Sequence, residues 1–497
     1  MNFPTSSIGL PSNLKYDLPP SFSDSARAYT INLAPDGITS VAGPTPPATT
    51  FTQASGTYMG PFNSQIVSFT IPSGNSPSVF LDPFSTTLSF SITYSVTTAP
   101  VAGTGLAMTL QSSAASWFDT LVLYSNNTPI ETINGYGQLQ NFLLQNSVNF
   151  AERYGGLSVC MGTDTNSSNG IDLAFAAVGS YRYNFTVPLL SVIGANFDKL
   201  FPIGSINNMQ LQMTTANQLP VSTYCLTAPT TQAALSAFTL SEFNLNMKYI
   251  DIGDMASQIL SQTLQDGKWF LKATTYTNSA VSIPIGSQGN QQILLQIRNT
   301  SVKSLLHTFT ISGGTTPYKV CPNATYDSIC PNLTSRQCQI GGQFYPNKPI
   351  NDLARPSEGY QYLIQSLAQG GGITKSYGTT INRYNYCTTL TIPGAALSGN
   401  VDSTFIVPAN ALRTQVGGND DATAGNVVKN PNSFFCGYDL EKSAGILFQG
   451  LNTRASPPFL NLFITEVLPF TVSINGWGMS DVILQVDTIS KQVTAFI

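Results

Sequence analysis

Val67-Ser68-Phe69-Thr70-Ile71-Pro72-Ser73-Gly74 alternates apolar and polar residues, stops on proline and glycine, and leads into Val79-Phe80-Leu81. A side-chain period of two marks a strand with one buried face, and the Pro/Gly pair marks its turn. Far along the chain the pattern returns: Val281-Ser282-Ile283-Pro284-Ile285-Gly286 runs into a turn and then Ile293-Leu294-Leu295-Gln296-Ile297. The pair of openings predicts one β unit used twice in tandem, each opening marking the early strands of its unit.

The same period continues outward from these stretches. Leu88, Phe90, Ile92 and Tyr94 alternate with polar residues, as do Met209, Leu211 and Met213, and Phe243, Leu245, Met247 and Tyr249. In the second half Leu460, Leu462 and Ile464, then Val482, Leu484 and Val486, do the same. Turn residues separate these runs, at Asn126-Asn127, Ser312-Gly313-Gly314 and Gly417-Gly418-Asn419. Many strands with few helices predict an all-β chain of sandwiches or barrels. Helical spacing is confined to short segments: Tyr136, Leu139 and Leu143; Met255, Ile259 and Leu260; and Ser357 to Gln369, with Ser357 as cap and Gly370 as stop. These are expected as helices inserted in loops between strands.

Three regions follow. Residues 1–60, rich in Pro, Ser, Thr and Gly, are expected as an extended N-terminal arm. The stretch 61–264 is the first sandwich; Asp266-Gly267 then turns the chain into the second, 265–497, with a long loop at about 313–372. Long ordered loops on a rigid scaffold usually carry contacts.

Charged residues make up 9% of the 497, against about 25% in an ordinary soluble protein. Apolar residues reach 42%, so the composition is not that of a disordered chain. A polar, nearly neutral surface has little colloidal repulsion and favours association. The 21 Lys and Arg are scattered singly on a chain of net charge −4, which argues against specific nucleic-acid binding. Seven scattered cysteines are no disulfide framework. Met1-Asn2-Phe3-Pro4-Thr5 shows no secretory pattern, so an intracellular, non-secreted product with reduced thiols is expected.

Residues suited to catalysis are few. His307 is the one histidine, and it lies in strand phase with Leu305, Phe309 and Ile311, which points it at the apolar face. Cys321, Cys330 and Cys338 lack the close pairs and fourth ligand of a zinc site, and a disulfide among them stays open. Gly370-Gly371-Gly372-Ile373-Thr374-Lys375 follows a helix rather than a strand, the wrong setting for a phosphate loop. Asp82, Asp119, Glu131, Asp439 and Asp481 are dispersed. We expect no catalytic, cofactor-binding or metal-binding residues and no enzyme activity.

Ile71-Pro72 is followed by Phe80-Leu81-Asp82-Pro83 and Thr87-Leu88-Ser89-Phe90, and Trp117-Phe118-Asp119-Thr120-Leu121-Val122-Leu123 by Thr128-Pro129-Ile130-Glu131 and Tyr136-Gly137; in this order these stretches resemble the opening strands of double jelly-roll major capsid proteins. Leu200-Phe201-Pro202-Ile203-Gly204 with Met209-Gln210-Leu211 is similar to the strand pair closing the first jelly roll. Thr300-Ser301-Val302-Lys303-Ser304-Leu305 and Gly450-Leu451-Asn452-Thr453-Arg454 resemble second-roll segments of virophage and Polinton-type members. The resemblance implies two tandem eight-stranded jelly-roll β-sandwiches. It also implies a homotrimer with six corners that tiles an icosahedral shell around DNA, located in the virion. Penton, minor capsid or cement proteins, and an inner membrane reached by the N-terminal arm, are the implied partners. The alternative is a β-sandwich adhesin or carbohydrate-binding protein, which needs an export route and binding loops. A glycosidase needs two carboxylates about 5–10 Å apart in a cleft.

Overall fold

The computed structural model describes residues 27–496 except 39, 44–56, 59–63, 75, 99–106, 164–168, 175–176, 218, 225–233, 236, 254–263, 265, 314–325, 327, 332, 353, 368–380, 382–385, 387–432, 442–448, 466 and 469–470. Among the described residues the strands form five antiparallel sheets, three from the first half and two from the second.

The first half pairs β1 (Arg27–Leu33), β14 (Thr239–Asp251), β5 (Val79–Thr98) and β10 (Gly179–Pro188) in that order. Two short strands, β2 (Ser40–Ala42) and β13 (Ala234–Leu235), attach to β14 and β5. Facing this sheet is a second, β4 (Ile66–Ile71), β11 (Met209–Thr215), β7 (Phe118–Ser125) and β8 (Thr128–Asn134). The second half repeats both orders: β15 (Lys268–Ile283), β22 (Thr471–Asp487), β17 (Val302–Gly313), β20 (Cys436–Asp439); and β16 (Gly289–Leu294), β21 (Phe459–Ile464), β18 (Leu333–Ile340), β19 (Gln343–Ile350). A last strand, β23 (Gln492–Phe496), adds to β22. Numbering the eight strands of each half, both read 1-8-3-6 over 2-7-4-5, the jelly-roll order. The chain is a double jelly roll.

The alternating runs behave as their phase requires. Val67, Phe69 and Ile71, then Leu88, Phe90, Ile92 and Tyr94, are buried between the first two sheets; Leu460, Leu462, Ile464, Val482, Leu484 and Val486 fill the second roll. Each buried Leu, Ile, Val or Phe is worth about 1.5–3 kcal/mol of transfer from water.

The twin openings do not correspond to one another. Val67–Ile71 and Val79–Leu81 are the second and third strands of their roll, while Val281–Ile283 and Ile293–Leu294 lie on the first and second of theirs. The true counterparts are β4 with β16 and β5 with β17. A strand ended by Pro and Gly suits any corner of a sandwich, so the local pattern carries no register. The first strand of the first roll is Arg27–Leu33, inside the stretch expected as an arm, and it pairs with β14 from Arg27↔Asp251 to Leu33↔Leu245. Its counterpart pairs Lys268↔Asp487. Both rolls thus begin with a basic residue opposite an aspartate.

The stretch 313–372 is not one loop. It holds the β18–β19 hairpin, turning at Gly341-Gly342, and a helix α4, Pro356–Ser366. The helix starts two residues earlier than expected, with Pro356 at its first turn and Arg355 rather than Ser357 at the cap position. Three other helices, α1 (Tyr136–Ser147), α2 (Phe150–Tyr154) and α3 (Gly156–Met161), follow β8. Residues 255–260, spaced as a helix, lie outside the described residues.

The third sheet comes entirely from connections of the first roll: β3 (Thr57–Tyr58), β12 (Val221–Tyr224), β6 (Ala107–Gln111) and β9 (Asn169–Leu173). Each lies in a different connection, those after strands one, three, five and seven. In a jelly roll these four share one end, so the small sheet crowns that end.

Candidate functional site

No grouped chemistry emerges among the described residues. His307 lies fully buried on β17, beside Phe309 and stacked on Tyr438 at 5.6 Å between ring centroids. Neither ring nitrogen has a hydrogen-bond partner among the described residues. Burial, and then the nearby Arg336 guanidinium, hold its pKa well below the ordinary histidine value. Cys330 and Cys338 are buried free thiols. Cys321 and Gly370–Lys375 lie outside the described residues. No three His, Cys, Asp or Glu converge as metal ligands among the described residues.

The dispersed acids serve separate structural ends. Asp481 is fully buried; its Oδ2 accepts from Ser301 Oγ at 2.8 Å and Gln449 N at 3.0 Å, and Lys272 and Lys303 approach Oδ1 at 3.4 and 3.5 Å. Asp119 is pushed upward in pKa by burial. Sequence reading missed the buried ion pair of Arg336 with Asp352, Nε to Oδ2 2.8 Å, where the guanidinium also lies over the Tyr438 ring at 5.2 Å. Neither residue belongs to a recognisable motif; a tertiary contact alone joins β18 to the turn before α4.

Glu131 is different, because it sits where the two rolls meet. It projects from β8, the edge strand of the first roll's second sheet. Oε2 accepts from Ser191 Oγ and from Val192 N at 2.9 Å, and Oε1 accepts from Thr275 Oγ1 of β15 at 2.9 Å. Burial raises its pKa, against the lowering effect of those hydrogen bonds.

The seam extends on both sides of this carboxylate. Trp477 Nε1 on β22 donates to Asn134 O at 3.2 Å, and Val493 N on β23 donates to Ser125 Oγ at 3.1 Å. Asn141 Nδ2 on α1 donates to Tyr326 O at 2.8 Å, and Ser433 Oγ donates to Gln145 Oε1 at 3.0 Å. Phe142 packs on Phe435 and Trp477, with centroids at 5.0 and 6.3 Å. Since Glu131 meets Thr275, and Asn134 meets the residue paired with Asn278, β8 and β15 run the same way. The rolls therefore stand side by side with the same end up. Among the described residues the arrangement offers rigid packing and edges, with no assembled nucleophile, base or metal cradle. The aromatic Phe142 and Trp477 gave no sequence signal of their role, since core and seam use the same residue types.

Comparison with known proteins falls on the fold. No family model matches the sequence, and no curated protein does. Among solved structures, a chain of the Sputnik virophage structure superposes with a TM-score of 0.55 at 10% identity, covering 100% of this chain and 93% of that one. The Faustovirus major capsid protein superposes at 0.50 with 8% identity, covering 92% and 90%. The mavirus major capsid protein covers 100% and 96% at 11% identity with a TM-score of 0.49. Nearly end-to-end coverage with the strand order of both halves gives one conclusion: the chain has the double jelly-roll fold found in viral major capsid proteins.

Proposed function

We propose that this chain is the major capsid protein of an icosahedral virus, a structural subunit that assembles with copies of itself. The observation that carries the reading is the seam: two rolls of one strand order, upright and parallel, joined by β8 of the first against β15 of the second. The same contact repeated between chains sets β19 of one copy against β1 of the next. Three copies then close a ring of six rolls without leaving an open heterologous surface. Low charge and polar strand faces suit a protein whose sides meet other protein.

On this reading the domain limits shift. The first roll runs from Arg27 to Asp251 and the second from Lys268 to Phe496, and the role of residues 1–26 is to tie neighbours or an inner membrane. The crown of β3, β6, β9 and β12 faces away from the end where Asp251 and Lys268 lie. The protein is made in the host cytoplasm and resides in the virion; penton and minor or cement proteins are its further partners. Purified protein measured by light scattering or native mass should be a trimer, and concentrated preparations should show hexagonal capsomers or shells in electron micrographs. A stable monomer under all conditions, or a monomer that binds sugar, overturns the reading.

A further inference from the structure

The seam leaves an open cleft near the base of the molecule. Its volume is about 450 Å³; one wall is Ala195–Lys199, in the connection from β10 to β11, and the other is Phe270–Thr274 of β15. The rolls are already docked, so this opening is a product of the seam.

The β15 wall is a strand edge. Gly267 O accepts from Thr488 N, and the β15–β22 register runs unbroken from Lys268 to Ile283. Backbone groups alternate sides along a strand, so the even-numbered residues turn N–H and C=O away from β22. Thr274 follows this rule: its N–H donates to Asn196 O at 3.2 Å across the head of the cleft. Below it, the outward backbone groups of Phe270 and Lys268 have no partner among the described residues. Natural edges of this kind are usually covered or blunted.

The side chains beside this edge are as specific as its backbone. Phe270 is 51% exposed and Leu200, next to the opposite wall, 40% exposed. Lys268 and Lys272 flank Phe270 at i±2, so all three share one face of the strand; Lys272 also approaches the buried Asp481 at 3.4 Å, and its ammonium carries three donors, enough for a second carboxylate. The first roll keeps the pattern at its own first strand: Arg27 opposite Asp251, then Tyr29, 43% exposed, in the place of Phe270. An exposed aromatic two residues after a basic residue is thus a feature of both edges.

We propose that the cleft binds an extended segment of another polypeptide, added to β15 as a short strand. Its preferred pattern is acid-x-apolar-x-acid. The apolar residue packs on Phe270 and Leu200, and the two carboxylates lie opposite Lys268 and Lys272, as cross-strand pairs favour.

The test uses the full chain and the peptide acetyl-Thr-Glu-Thr-Leu-Thr-Glu-Thr-amide, titrated by calorimetry. Saturable binding at or below millimolar concentration is expected, with at least about tenfold weakening when both Glu are replaced by Lys or when the protein carries Phe270→Asp. Two further peptides, N-methylated on alternate residues, test the backbone: one set of amides faces β15, so one peptide should lose binding and the other keep it. No binding, equal binding of the Lys peptide, equal binding to the Phe270→Asp protein, or equal behaviour of the two N-methylated peptides overturns the proposal. So does binding that appears only after residues 1–26 are removed, since the cleft would then belong to the chain's own beginning. Phe270→Asp should assemble as the unaltered protein does, so this result and the capsid reading fail separately.

Discussion

Gly450 shows how one residue holds a connection in place. A Cβ there would come within 2.3 Å of the Val302 carbonyl carbon, and the backbones of Val302 and Leu451 exchange hydrogen bonds at 2.8 and 2.9 Å. Gly450→Ala should therefore destabilise the second roll by roughly 1–3 kcal/mol, read as a lower denaturation midpoint. The Arg336–Asp352 pair is a stronger case. Both side chains are fully buried, so Asp352→Asn leaves an uncompensated guanidinium and should cost about 3–5 kcal/mol. His307 sets a pH dependence. Its folded pKa lies below the unfolded value of about 6.5, so the unfolded chain binds the proton more readily. Stability from this residue is present above that pH and declines as the pH falls beneath it. Glu131 acts oppositely, since burial raises its pKa and its cost is relieved on acidification. The difference in unfolding midpoint between the native protein and His307→Leu isolates the histidine. That difference should move against the native protein from pH 7 to pH 5.

At the scale of elements the seam decides behaviour. Phe142 on α1 touches Phe435 and Trp477 of the other roll, and is fully buried. Phe142→Ala should cost about 3–5 kcal/mol and raise protease cleavage between Asp251 and Lys268, because the cavity opens where the rolls meet. Strand phase along each of these elements was legible in sequence: Leu88 to Tyr94 and Leu460 to Ile464 point inward as their alternation requires. α1 was legible for the same reason, from Tyr136, Leu139 and Leu143. The first strand, Arg27–Leu33, was not. Its residues are mostly exposed, so no apolar period marks it, and it is a strand only because β14 supplies its hydrogen-bond partners. The β18–β19 hairpin escaped notice likewise, since β19 carries two prolines and an exposed face.

For the whole molecule, the exposure of β1 and β19 is the counterpart of the buried β8–β15 seam. Phe344 of β19 is exposed and sits on the edge that a second copy would meet. Phe344→Asp should leave the fold intact, as judged by circular dichroism, and shift the trimer–monomer midpoint by about tenfold or more. Unchanged assembly would remove β19 from the contact. The sequence by itself determined the class of fold, because a period of two and Pro/Gly stops are local properties that any strand pairing must respect; the doubling it suggested is present, but the twin openings that suggested it are not equivalent strands. Only the tertiary structure decided which strands correspond between the rolls, where the first roll begins, and that Glu131, Phe142 and Trp477 meet across a seam. Those facts depend on pairings between residues far apart in the chain, and equivalent strand patterns do not distinguish one distant partner from another.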